Sequence, residues 1–268
     1  MAILADTDGD VASSFIACRE EPDAVTLPLT VAFFAVVFLT SALSGIFGMA
    51  GGLILLGCLL LALPASVAIV VHGVIQLASN GSRAWLSRQY IAPRIVALIA
   101  SGGAVSAVAL AWLDYHPDVT IVSLLIGVMP VLVWIPRRWF HFDASRPGHA
   151  LACGVIAGGL TIAAGVSGPT IDLFFIRTGM DRRQIVATKA AVQVIAHAIK
   201  IIFYAGSALA LSAGQWGAIA LAVPVAFLGT RAGNGVLRRL SNAHFRYWTR
   251  WIVTVVGAVY LVQGLMAL

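Results

Sequence analysis

Charge is scarce in this chain: 10% of its 268 residues are Asp, Glu, Lys or Arg, against 60% hydrophobic, and the mean hydropathy is +0.96. That balance excludes a soluble globular domain of this length and makes the bilayer the main solvent. Cysteine is nearly missing too. Cys18 lies in the first 27 residues, while Cys58 and Cys153 fall inside apolar stretches and read as small buried hydrophobes. No spacing of Cys and His resembles a metal or cluster site, so no metal and no cofactor is expected. No phosphate-binding P-loop is present, so energy coupling comes from an ion or proton gradient, or a solute runs down its own gradient. The first 27 residues have neither the basic start nor the apolar core of a signal peptide; with Asp6, Asp8, Asp10, Glu20, Glu21 and Asp23 they read as an acidic tail.

Apolar stretches cover roughly 28–63, 65–82, 92–113, 119–136, 149–176, 184–205, 214–232 and 247–267. Most are near the ~20 residues that cross a bilayer as a helix. The net charge of +6 is not a nucleic-acid footprint, because the arginines cluster in short segments between apolar spans. Arg83, Arg88 and Arg94 mark one cytoplasmic loop; Arg137, Arg138 and Arg146 a second; Arg177, Arg182 and Arg183 a third; Arg231, Arg238, Arg239, Arg246 and Arg250 a fourth. The segments Asp114 to Asp118 and Gly206 to Gly214 carry no Lys or Arg and face outward. The expected organisation is an extracytoplasmic tail at 1–27, a first transmembrane repeat at 28–136, a cytoplasmic linker at 137–148 and a second repeat at 149–268.

A repeat underlies this division. GMAGG at Gly48 to Gly52 returns as GVSGP at Gly165 to Pro169, an offset of 117 residues. Both breaks lie in the two stretches too long for one crossing, so each becomes a helical hairpin. With three further crossings, each half spans the membrane an odd number of times, and the second half is inverted relative to the first. The fold class is therefore all-α and integral to the membrane, with two inverted-topology repeats, each a glycine-broken hairpin plus three transmembrane helices. Non-helical backbone at membrane depth is tolerated only beside protein or a water-filled cavity. Helix N-termini beginning at Gly51 and Pro169 would aim free N–H groups and positive dipole ends at the midplane, where an anion is the natural occupant. Gly48, Gly51, Gly52, Gly165 and Gly168 would let it approach the backbone. Small residues also serve close helix packing throughout membrane bundles, the competing role for any one of them.

The same offset carries a polar stripe: His72, Gln76, Asn80 and Arg83 fall on Lys189, Gln193, His197 and Lys200. At i, i+4, i+8 and i+11 each set occupies about 80° of helix arc, a face ill suited to lipid. Arg83, Lys189 and Lys200 lie near enough to the boundaries to snorkel. Gln76, Gln193 and His197 lie deepest and join His72, Lys189, Ser167, Pro169 and the glycines as expected substrate contacts. His72, His197 and Asp172, the lone carboxylate within the apolar part of the hairpins, are the coupling candidates. Asp172 is also placed to cap a helix or to pair with Lys189.

The breaks G-x-x-G-G and G-x-x-G-P, spaced 117 residues apart, and Ala187-Thr188-Lys189 followed by Gln193, His197, Lys200 and Tyr204, resemble the sulfite exporter TauE/SafE family of membrane transporters. The resemblance spans roughly residues 30 to 267. It implies a bacterial inner-membrane permease moving sulfite, sulfonates or other small sulfur oxyanions. His72 and Asn80 stand where the second copy has Lys189 and His197, so the site is asymmetric. Gly165-Val166-Ser167-Gly168 also matches the G-x-S-G loop of rhomboid-like intramembrane serine proteases, with His197 or His72 as base. The duplicate break has Ala50 in place of Ser167, so the repeat accounts for the glycines without a nucleophile. The favoured reading is a secondary transporter of a small anion, not an enzyme; the protease and an anion channel are the alternatives. Its partners are the small anionic solute and the lipid bilayer, with no nucleic acid, and a homo-oligomer is left open. The Arg pattern predicts both termini outside the cytoplasm and residues 137–148 inside. Membrane-impermeant cysteine labelling of whole cells should therefore reach a cysteine placed in the tail and spare one at residue 143, and the opposite pattern would sink the inverted topology.

Overall fold

The computed structural model describes residues 27–268 apart from Met49, Arg137, Arg138, Phe140, Ile176, Ala210 and Arg238. The acidic tail with Cys18, the Arg137–Arg138 pair, Arg238 and the side chains of Arg182 and Arg246 thus lie outside the described residues. The described chain is helical, in the order α1 (Leu27–Phe47), α2 (Ala50–Leu60), α3 (Ala65–Leu86), α4 (Pro93–Trp112), α5 (Val119–Val128), α6 (Pro130–Trp134), α7 (Pro147–Ala163), α8 (Gly168–Phe175), α9 (Arg182–Phe203), α10 (Ala205–Ala208), α11 (Ala213–Leu237) and α12 (Asn242–Met266). Among the described residues six helices are long and apolar enough to cross a membrane. Large apolar side chains cover their outer faces, among them Val108, Trp112, Leu221 and Val255, as a lipid-facing surface requires.

Local chemistry sets the helix starts. Pro93 and Pro147 occupy first turns, where the missing N–H costs nothing. Asp181 caps α9 through a capping box with Gln184. Asp118 caps α5, and the backbone N–H of Ile121, with help from Thr120, holds its carboxyl below the usual range. Where the sequence reads a single stretch over 119–136, the chain divides into α5 and α6 at Met129, because Pro130 has no N–H to continue the ladder.

Both expected breaks are present. Gly48 and Gly165 share a φ of +74°, the left-handed conformation that ends a helix and that a side chain resists. The second legs begin one residue earlier than read, at Ala50 and Gly168. With 11 and 8 residues they run about 16 and 12 Å, well short of a bilayer core. Helices α3 and α9, counterparts at the 117-residue offset, each contain 22 residues and begin at Ala65 and Arg182.

Helix pairing exchanges when the halves are exchanged. Helix α1 packs along α11, and α7 along α4; α3 packs on α9, its own counterpart, and α5 on α12. The first leg of each hairpin is thus held mainly by the other half. These contacts are close because glycine lines them: a Cβ on Gly233 would lie 2.0 Å from the Ala42 carbonyl, and one on Gly154 would lie 2.1 Å from that of Ile99. Gly154→Val should therefore lower stability by about 1–3 kcal/mol or more, read as thermal unfolding in detergent. Gly148→Ala, which meets open space, should leave it unchanged.

Candidate functional site

The two breaks and the polar stripe converge. A cavity of about 30 Å³ is lined by Gly48, Gly52, Leu53, His72, Gln76, Asn80, Thr161, Val166, Ser167, Gly168, Pro169, Gln193, Ala196 and His197. That is room for about two water-sized groups. Contributions come from the first turns of α2 and α8 and from the facing stripes of α3 and α9. Nine of the expected contacts therefore share one cavity: Gly48, Gly52, His72, Gln76, Ser167, Gly168, Pro169, Gln193 and His197. His72, Gln76, Asn80, Ser167 and His197 are all buried there.

Two basic side chains hold the breaks. Lys200 is wholly buried, and its Nζ donates to the Gly165 carbonyl at 2.8 Å and meets His72 Nδ1 at 2.7 Å. His72 Nε2 lies 3.1 Å from the Gly52 carbonyl, which can only accept. The proton of a neutral His72 thus sits on Nε2, leaving Nδ1 to accept from Lys200. The resulting chain Lys200 to His72 to Gly52 joins the two hairpins. Arg83, the counterpart of Lys200 at the 117-residue offset, donates through Nη2 to the Ser44 carbonyl at 2.7 Å, at the end of α1. Each first leg therefore ends with its negative dipole end against a basic side chain from its own half's long helix. The described ion pairs are Arg146–Asp143 and Lys189–Asp172, so among the described residues Lys200 has no carboxylate partner. His197 stacks edge-on to His72 at 5.7 Å between centroids, and its buried Nδ1 has no hydrogen-bond partner.

Three expected contacts and one coupling candidate stand elsewhere. Lys189 and Asp172 form an ion pair in a second, wider cavity of about 440 Å³, also lined by Ser44, Phe47, Gly48, Arg83, Ser87, Val186, Gln193 and Asn234. Gly48 and Gln193 line both spaces, so this vestibule adjoins the central cavity. Gly51 faces α1, where a Cβ would lie 1.9 Å from the Thr40 carbonyl. Gly165 packs on Leu56 and Ile69 and reaches the site through the carbonyl that Lys200 holds. Lys200 does not snorkel to a boundary; contact of α9 with α3 encloses it.

Thr161 is a contact that sequence reading passes over. Its Oγ1 donates to the Ala157 carbonyl and lies 2.6 Å from Ser167 Oγ. A lone hydroxyl four residues before a break is a weak signal, since threonine commonly bonds back along its own helix. The Ser167 hydroxyl is thus paired with Thr161 and with neither histidine.

The family model described as Sulfite exporter TauE/SafE matches residues 33–260. No curated protein and no solved structure matches the chain. A hydroxyl that only completes a polar pair contributes about 1 kcal/mol, whereas loss of a nucleophile costs orders of magnitude in rate. Ser167→Ala should accordingly lower thermal stability only slightly, and incubation of the parent with a membrane-spanning substrate should give no peptide cleavage on gels. Cleavage that disappears in Ser167→Ala would make this a protease site.

Proposed function

We propose that this chain, which belongs to the sulfite exporter TauE/SafE family, is a secondary transporter of a small sulfur oxyanion, such as sulfite or an organosulfonate, in the bacterial inner membrane. The observation that carries this reading is Lys200: a buried basic side chain with no carboxylate partner among the described residues, one hydrogen bond away from a polar cavity. An ion taken out of water needs a counter-charge, and a bound anion is one that can come and go. The anion would sit at the first turns of α2 and α8, whose early N–H groups have no helical acceptor, and beside the free Nδ1 of His197.

Transport then proceeds by alternating access. The halves are related by inverted topology, and one moves against the other while the hairpin tips keep the anion. The exchange of helix partners between halves supports that relation, as does the matched geometry of Gly48 and Gly165. His197 is the first coupling candidate, because a proton on Nδ1 would give that atom a hydrogen to donate to the anion. His72 is already committed on both ring nitrogens, and Asp172 to Lys189.

Purified protein in liposomes should carry sulfite or a small sulfonate and discriminate against cations of similar size. Gly52→Ala tests the site itself, since its Cβ would fall 2.2 Å from Gln76 Nε2. That atom ends a flexible side chain, so the variant should fold normally while displacing the amide from the cavity. We expect sulfite affinity to fall roughly tenfold or more, about 1.4 kcal/mol, with little change in melting temperature. An anion bound together with a proton on His197 is held less tightly as pH rises, and His197→Gln should flatten that dependence. Normal sulfite transport by folded Gly52→Ala would remove the break from the binding site.

A further inference from the structure

The lining of the vestibule has counterparts elsewhere in the chain. At the 117-residue offset Gly48, Arg83 and Ser87 correspond to Gly165, Lys200 and Tyr204, while Val186, Lys189 and Gln193 correspond to Ile69, His72 and Gln76. The first set borders a space of about 440 Å³. The second set is packed shut: Ile69 and Lys200 are 0% exposed, His72 1%, Tyr204 5% and Gln76 6%, whereas Val186 is 42% and the Lys189 side chain 27% exposed.

From this contrast we infer that the anion's path continues into a second vestibule on the opposite face, closed in this structure and lined by these counterparts, with Lys200 in the place of Arg83. The inference rests on the anion-transport reading and on the inverted relation of the halves. Two packings made from equivalent contacts differ little in energy, so each half can adopt the arrangement the other now has. In the exchanged state Arg83 is enclosed, as Lys200 is here, and Lys200 faces water with a guiding charge for the anion. The closure has identifiable fastenings. Tyr204 donates to the Ile162 carbonyl at 2.9 Å and Tyr115 to the Ala163 carbonyl at 3.1 Å, both at the end of α7. On the open side Ser87 stands in the position of Tyr204 and is too short to make such a bridge. Opening the second vestibule therefore requires the tyrosine bonds to α7 to break, and Gln76 then links it to the central cavity as Gln193 links the first.

The test uses full-length protein with Cys18, Cys58 and Cys153 replaced by Ala, carrying either Val186→Cys or Ile69→Cys. An impermeant thiol reagent is applied to whole cells and to inside-out vesicles. Val186→Cys should react from one face, and Ile69→Cys only from the other, more slowly. Adding Tyr204→Phe should raise the Ile69→Cys rate severalfold and lower that of Val186→Cys. Where Ile69→Cys does not fold, Thr161→Cys, the counterpart of Ser44, replaces it. Reaction of both cysteines from the same face overturns the inference, as does a sealed Ile69→Cys or Thr161→Cys in protein that still transports sulfite. If labelling alternates between faces but sulfite is neither carried nor alters the rates, the second vestibule stands and the anion reading falls.

Discussion

A broken helix inside a bilayer leaves backbone groups that no water reaches, and everything at the centre of this molecule follows from how those groups are satisfied. On the carbonyl side of each break the answer is a cation: Arg83 at Ser44 and Lys200 at Gly165. On the N–H side of α2 and α8 no fixed carboxylate is present among the described residues lining the central cavity. The carbonyl pole of each break is therefore occupied by a basic side chain, while the N–H pole presents its positive dipole end to a cavity whose described lining has no acidic side chain.

The duplicated parts are alike in geometry and different in chemistry. Arg83 offers a planar guanidinium with several fixed donors, whereas Lys200 carries a single compact nitrogen bonded to an imidazole. His72 faces the first turn of α2 while its counterpart Lys189 is engaged with Asp172 at the vestibule. Duplication supplies two equivalent frames, and substitution within them separates a position concerned with holding charge from one exposed to bulk solution.

Periodicity and composition made the helices, both breaks and the facing stripes of α3 and α9 legible, because lipid demands long apolar runs and punishes polar residues outside a lined cavity. The 117-residue offset even matches α3 to α9 residue for residue in length. Depth and rotation were not legible. Gly51 and Gly52 are adjacent in sequence, yet neighbouring helical residues point about 100° apart, and packing alone decides that Gly52 faces Gln76 and Gly51 faces Thr40. Lys200 reads as a boundary residue from its distance along α9, but the close approach of α3 turns that position into interior. Thr161 is marked in the sequence only by its offset from Ser44; it matters through a contact with Ser167 that the hairpin creates.

The exchanged partnership of α1 with α11 and of α7 with α4 has a consequence for how the chain is made. During synthesis α1 emerges well before α11, the helix whose glycines receive it. The small-residue face of α1, with Ala42 and Gly45, meets that partner only after the helices between them have been made. The main contact of each first leg is thus a contact between halves, so neither half holds its own hairpin without the other.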